Sequence, residues 1–175
     1  SKLLVNRKIT SISKFINSKL KENLSITKIA KLSNLDKSIS FFEKVKSEKK
    51  ISIFSDYDVD GACAAAICKK FLSQFDIEVN VYIPNRLNEG YGLNLEAIDK
   101  ILTFSQNILV LDCGSNNPKE QEYIINQGGQ IMIIDHHECE LFFDQAIVVN
   151  PKTPHDQSEL NDLCATALTF LVLVY

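Results

Sequence analysis

Paired cysteines are missing from this sequence. None of the five cysteines forms a CxxC pair, their number is odd, and their spacing is irregular. A disulfide framework or a zinc ribbon would need cysteines in pairs at regular spacings, so the pattern disfavours both. We therefore expect free thiols in a reducing cytoplasm.

Long hydrophobic runs are also missing. The most apolar stretch, residues 163–175, is uncharged but too short for a membrane span, which needs about 20 residues. A secretion signal consists of basic residues, a long apolar run and a cleavage site of small residues. The N-terminus shows no such pattern. We predict a buried helix at 163–175, no membrane partner and a cytoplasmic protein.

Glycine and proline are absent from the first 60 residues, and acidic residues are scarce in the first 50. Residues 1–50 hold 13 lysines and arginines against 4 acidic residues, whereas residues 51–175 hold 6 against 18. Apolar spacing predicts helices near 12–20 and 38–49, so residues 1–50 are interpreted as a basic helical segment. The basic charge suggests a polyanionic partner, although a general bias toward Lys, Asn and Ile would give the same composition.

From residue 51 onward, short apolar runs alternate with helical patterns. Strands are predicted at 51–54, 77–83, 108–111, 131–134 and 146–149, and helices at 60–75, 94–102, 118–127 and from about 160. Uniformly apolar strands separated by helices are typical of a parallel sheet buried on both faces. The sequence thus predicts an α/β domain over 51–175, with a mainly parallel five-stranded sheet and helices on both faces.

Acidic and imidazole side chains follow three of the predicted strands. They are Asp56, Asp58 and Asp60 after the first, Asp112 after the third, and Asp135, His136 and His137 after the fourth. Ligand sites of open parallel sheets lie beyond the carboxyl ends of the strands. We therefore expect these three clusters to converge at one edge of the sheet.

Such a set of side chains favours divalent cations. Clustered carboxylates repel one another, and oxygen ligands with an imidazole suit Mn²⁺ or Mg²⁺. Each cluster alone has a plainer explanation, as a solvated turn, a helix cap or a surface histidine pair. A calcium loop of the EF-hand type is excluded, because its twelfth position, counted from Asp56, is Ile67 rather than glutamate.

Five short motifs along residues 51–175 carry a family resemblance. They are SDYDVDG, YIPNRLNEGYGL, LVLDCGS, IIDHHE and VVNPK. In this order they resemble the DHH phosphoesterase family, and within it the RecJ-like branch that degrades single-stranded DNA from the 5′ end. The resemblance implies a metal-dependent exonuclease acting on single-stranded DNA in DNA repair and recombination. Short oligonucleotides, cyclic dinucleotides or pyrophosphate remain alternative substrates, and an inactive scaffold remains an alternative role.

The resemblance also implies a two-metal site holding Mn²⁺ or Mg²⁺. Asp58 and Asp60 would be metal ligands, with Asp56 in or near the same site. Asp112 would bridge the two ions, and His136 would be a further ligand.

Other residues take roles around the metals in this family pattern. Asp135 would orient His136, while His137 and Arg86 would contact the substrate phosphate. Lys152 is a weaker candidate for a phosphate contact. The tyrosines near these motifs are interpreted as core or loop residues.

Three departures from the family pattern bear on the expected activity. Ser55 and Ala167 stand where the family commonly has glycine. The family also has a further metal-binding aspartate, expected beyond Tyr175, and two more domains. We therefore interpret the chain as a truncated catalytic domain that lacks one metal ligand, whether as a fragment, a split gene product or a decayed gene, with a companion chain or domain as the candidate that would complete the site.

Overall fold

The protein is represented by a computed structural model that describes residues 2–16, 26–140 and 144–175. Short helices α1 (Lys2–Asn6), α2 (Ile12–Ile16) and α3 (Ile26–Ile29) precede the longer helix α4 (Leu35–Glu48). The helix predicted near 12–20 is therefore described only to residue 16, and its remainder lies outside the described residues. Across those three described ranges, no helix is both long and apolar enough to span a bilayer.

A parallel sheet of five strands forms the centre of the fold. The strands are β1 (Lys50–Ser55), β2 (Glu78–Tyr82), β3 (Asn107–Leu111), β4 (Gln130–Ile134) and β5 (Ile147–Val149), in the order β2-β1-β3-β4-β5. All four strand pairings are parallel. The fold class predicted from the apolar strands is confirmed.

Helices cover both faces of this sheet. The helices that follow β1 are α5 (Val59–Leu72), α6 (Leu95–Leu102), α7 (Pro118–Asn126) and α8 (Ala165–Val174), and a 3₁₀ turn covers Ser73–Phe75. One core contains α4, α5, α8 and strand residues such as Leu109. The other core contains α6, α7 and the next strand residue, Val110. Successive strand residues enter opposite cores because side chains alternate across a sheet.

The start of the last helix differs from the prediction. α8 begins at Ala165, not near Leu160, and a turn in which the Leu163 amide donates to the Leu160 carbonyl precedes it. The first amides of α8, those of Ala165 and Thr166, donate to the distant Asp60 carboxylate. A contact between residues so far apart fixes the helix start, and apolar periodicity cannot reveal it.

The strand order creates a switch point between β1 and β3. The chain leaves β1 through α5 toward β2, and leaves β3 through α7 toward β4 in the opposite direction. Loops that diverge in this way leave a crevice at the carboxyl ends of the two strands. Asp56 follows β1 and Asp112 follows β3, so both lie at this crevice.

Candidate metal centre

The loop after β1 is a tight turn built around Gly61. The Asp58 side chain accepts a hydrogen bond from the Gly61 amide at 3.0 Å and so caps α5. A Cβ on Gly61 would lie 2.5 Å from the Asp56 carbonyl oxygen, so only glycine fits. The Ser55 hydroxyl donates to the Gly61 carbonyl at 2.7 Å, which gives this departure from the family pattern a structural role. The turn holds the Asp56 and Asp58 side chains next to each other.

Asp112 is buried at the end of β3 in the left-handed backbone region, with φ of 63°. Its Oδ1 atom and that of Asp56 have no hydrogen-bond partner within the described part of the chain, although His136 Nε2 lies 3.3 Å from Asp112 Oδ1. Burial and, after it, the neighbouring carboxylates of Asp58 and Asp60 together raise the pKa of Asp112 to about 8. Burial likewise raises the pKa of Asp56. Buried carboxylate oxygens without hydrogen bonds are costly, and a divalent cation would satisfy them.

Two groups of candidate ligands share Asp112. One consists of Asp56, Asp58 and Asp112, and the other of Asp112, His136 and His137. Within each group, one ligand atom from every residue lies within 4.8 Å of the others. The clusters that the sequence places at three strand ends therefore do meet in space.

Asp60 belongs to neither group. Its Oδ2 and Oδ1 atoms accept hydrogen bonds from the amides of Ala165 and Thr166, both at 2.8 Å, so it caps the N-terminus of α8. Oδ2 also lies 3.7 Å from His136 Nε2. Burial raises the pKa of Asp60, but hydrogen bonds led by those from Thr166 outweigh it and the pKa lies below its ordinary value. Asp60 thus links α8 to the histidine side of the site.

Asp135 is bonded to His137 rather than to the ring of His136. Its Oδ1 lies 2.7 Å from His137 Nδ1 and accepts the His136 backbone amide at 2.7 Å. Its Oδ2 accepts the Ser115 amide at 3.2 Å. The ring of His136 instead faces Asp112 and Asp60. The family pattern led us to expect Asp135 to orient His136; here Asp135 contacts the backbone amide of His136 and the ring of His137.

The Asp135–His137 pair favours an ion pair. Burial raises the pKa of Asp135, but hydrogen bonds from His137 and Ser115 outweigh it and hold that pKa below its usual range. The same hydrogen bond raises the pKa of His137, against a smaller effect of its own burial. A protonated His137 would present a hydrogen-bond donor and a positive charge at the crevice.

Arg86 and two tyrosines line the same crevice. The Arg86 guanidinium lies 5.4 Å from the Tyr57 ring centre, within the range of a cation–π contact. Tyr57 meets Tyr91 edge to face at 6.3 Å, and Tyr91 meets His137 in the same way at 6.3 Å. Tyr91 is 58% exposed. Both tyrosines lie in loops, in agreement with their interpretation as core or loop residues. Only their places inside the DYD and GYG motifs could have indicated that they contact Arg86 and His137.

Residues after β5 stabilise the turn that contains His136 and His137. The Asn150 side chain donates to the His137 carbonyl at 2.9 Å and to the Ser115 hydroxyl at 3.0 Å. Lys152 Nζ lies 3.2 Å from the Glu138 carboxylate, so the weaker phosphate candidate is engaged in an ion pair.

Comparison with known proteins gives a matching family model and several relatives. A sequence model described as the DHH family, N-terminal domain, matches residues 50–174. The single-stranded-DNA-specific exonuclease RecJ of Thermus thermophilus is 32% identical over 117 residues, which cover 67% of this chain and 18% of that protein. A putative SPbeta prophage-derived single-strand DNA-specific exonuclease, YorK of Bacillus subtilis, is 28% identical over 85% of this chain and 25% of its own length.

A solved structure gives the same result for the fold. The crystal structure of exonuclease RecJ bound to manganese superposes with a TM-score of 0.73 and 29% identity, covering 81% of this chain and 37% of that one. The chain therefore spans about a fifth to a quarter of the length of the curated relatives that it matches.

Proposed function

The chain belongs to the DHH family, and from this membership we propose that it is the metal-binding part of a phosphoesterase that degrades single-stranded DNA from the 5′ end in repair and recombination. One observation carries the proposal. Asp112 lies where two groups of candidate ligands meet, with a buried oxygen to which no described residue gives a hydrogen bond. The preference for single-stranded DNA is supported by what the relatives' names say of those proteins.

The donor set fits two divalent cations of the Mn²⁺ or Mg²⁺ type. Asp56 and Asp58 would hold one ion, His136 the other, and Asp112 both, while Asp60 would approach from beside His136. Such ions act as Lewis acids toward a phosphoryl group and lower the pKa of water. A companion domain or chain, as the family pattern implies, would add one more ligand to a set that would already hold both ions.

The side chains around the candidate metal ligands would bind and position the substrate. His137 and Arg86 would bind the anionic phosphate, and Asp135 would keep His137 protonated and in one orientation. Tyr91 offers an exposed aromatic surface beside His137 on which a base could stack.

Nucleotide release from single-stranded DNA labelled at its 3′ end tests the proposal. We expect Mn²⁺-dependent release of 5′-mononucleotides by the 175-residue chain. Asp112→Asn should reduce it by more than about 100-fold, because loss of an outer partner alone already lowers activity by 10–100-fold. Asp162→Asn, in an exposed turn, is the matched control.

Two outcomes would contradict the proposal. Release that survives Asp112→Asn would place the chemistry elsewhere. Mn²⁺ binding without release from single strands, dinucleotides or pyrophosphate would favour the scaffold role.

A further inference from the structure

We propose that Glu89 is a positioning residue, whose carboxylate fixes the loop 85–89 and thereby holds Arg86 over Tyr57 at the edge of the metal centre. The inference rests on the proposed function, in which Arg86 meets the substrate phosphate. Glu89 acts through Arg86 and takes no part in the chemistry itself.

The Glu89 carboxylate, at one end of the loop, binds the other end of the loop and the last residue of β2. Oε2 accepts the Asn85 amide at 2.6 Å, and Oε1 accepts the Tyr82 hydroxyl in a short hydrogen bond. The Glu89 amide donates back to the Asn85 carbonyl at 2.8 Å, and the Leu87 amide donates to Asn85 Oδ1 at 2.9 Å. Arg86 therefore lies in a turn that is closed by hydrogen bonds to Asn85 and is attached to β2 by the Glu89 carboxylate.

The closed loop is attached to rigid parts of the fold. Tyr82 is the last residue of β2, and its ring stacks on the buried Phe54 of β1 at 5.9 Å. Lys100 of α6 donates to the Tyr82 hydroxyl at 3.4 Å and lies 3.8 Å from Glu89. The Glu89 side chain is only 16% exposed. Through these contacts the loop is fixed to the sheet and to α6.

Arg86 benefits from this attachment because its own side chain is exposed. A flexible arginine on an unconstrained loop would sample many positions, and ordering it would weaken substrate binding. Here the guanidinium lies on the ring of Tyr57, which stands between Asp56 and Asp58. Without the Glu89 acceptor, two donors lose their partner and the loop can move away.

Nuclear magnetic resonance can test the positioning directly. The chain has two arginines, Arg7 and Arg86, so its arginine Nε–H spectrum contains two signals, and Arg86→Lys assigns them. We expect ring-current shifts on the Arg86 side chain that disappear in Tyr57→Leu. Glu89→Gln and Glu89→Ala should abolish most of the same shifts.

Glu96→Gln is the matched control. Glu96 also pairs with Lys100, at 2.8 Å, but its side chain is 76% exposed and lies on α6 outside the loop. This variant should keep the Arg86 shifts. Arg86 signals that are the same in the parent and in both Glu89 variants would overturn the proposal.

A double-mutant cycle on the nuclease rate separates positioning from general stability. Glu89→Ala should lower kcat/KM about 10-fold in the parent, as loss of an outer partner does, but less than about 2-fold when Arg86 is already alanine. Equal effects in both backgrounds would mean a structural role and would also overturn the proposal. If the parent releases no nucleotide, the proposed function fails, and the Arg86 spectrum still decides the role of Glu89.

Discussion

At the scale of single residues, Asp112 makes stability depend on pH. Its pKa is raised from an ordinary value of 3.8 to about 8, so the folded chain holds this proton more tightly than the unfolded chain. Stability without divalent ions should therefore fall as the pH rises from about 4 to about 8. Asp112→Asn should remove this slope and raise Tm near pH 8 by at least about 2–4 °C, equivalent to 1 kcal/mol. Thermal unfolding in EDTA at several pH values measures the effect.

The same variant should respond differently to metal. Mn²⁺ should raise the Tm of the parent near pH 8, because an ion that binds the folded state alone stabilises it. Asp112→Asn should lose most of this increase, and Asp162→Asn should keep it. A parent whose Tm does not depend on pH would show that Asp112 is better solvated than its burial indicates.

Asp135 provides the second prediction at this scale. Its hydrogen bond to Nδ1 raises the pKa of His137, so Asp135→Asn should lower that pKa toward the ordinary value for histidine. The chain has three histidines, which makes a proton NMR titration of the metal-free protein simple to assign. An unchanged His137 pKa would mean that the charges of Asp112 and Asp56 set it instead.

At the scale of elements, the turn between β1 and α5 depends on Gly61. A Cβ there meets the backbone of Asp56, which cannot rotate away as a side chain could. Gly61→Ala should destabilise the chain by about 1–3 kcal/mol, as other overpacked sites do, and abolish the Mn²⁺-dependent rise in Tm. Gly90→Ala shows the cost of backbone strain alone, because Gly90 has φ of +77° and the described residues leave nothing within 4 Å of an added Cβ, whereas Gly61 lies outside the left-handed region. A Gly61→Ala variant that keeps its stability and its response to Mn²⁺ would contradict the close approach.

The start of α8 depends on Asp60. Both of its carboxylate oxygens accept amides of the first helical turn, so Asp60→Ala removes a cap supplied from another element. We expect a loss of about 1–2 kcal/mol in urea unfolding, at the upper end for helix caps. Asp162→Ala, in the exposed turn before α8, should change stability little. A small effect of Asp60→Ala would indicate that Thr166 alone fixes the helix start.

At the scale of the whole molecule, the strand pattern was enough to predict the sheet and the meeting of its loops. Uniformly apolar strands such as β3 and β4 require burial on both faces, which only a helix-covered parallel sheet provides. Once the strands are parallel, Asp56, Asp112 and Asp135 must share one edge. Their convergence followed from topology, without knowledge of any side-chain contact.

The remaining details were not predictable because they depend on the geometry of individual turns and on contacts between distant residues. The pairing of Asp135 with His137 follows from the turn after β4, and the start of α8 follows from Asp60, about a hundred positions earlier. The placing of Tyr57 beside Tyr91 needs the relative position of two loops. Local periodicity contains none of this information.

The packing of helix α4 determines whether the N-terminal segment unfolds together with the domain that follows or separately from it. Its residue Phe41 is 1% exposed and shares a core with β1, β5 and α8. If this core unfolds as one unit, Phe41→Ala should destabilise the entire chain by about 3–5 kcal/mol in a single transition. Urea unfolding followed by circular dichroism measures the loss, and Phe15→Ala, at an exposed position in α2, is the control. A transition that Phe41→Ala leaves unchanged would mean that residues 50–175 fold without α4, and that the basic segment is a separate unit.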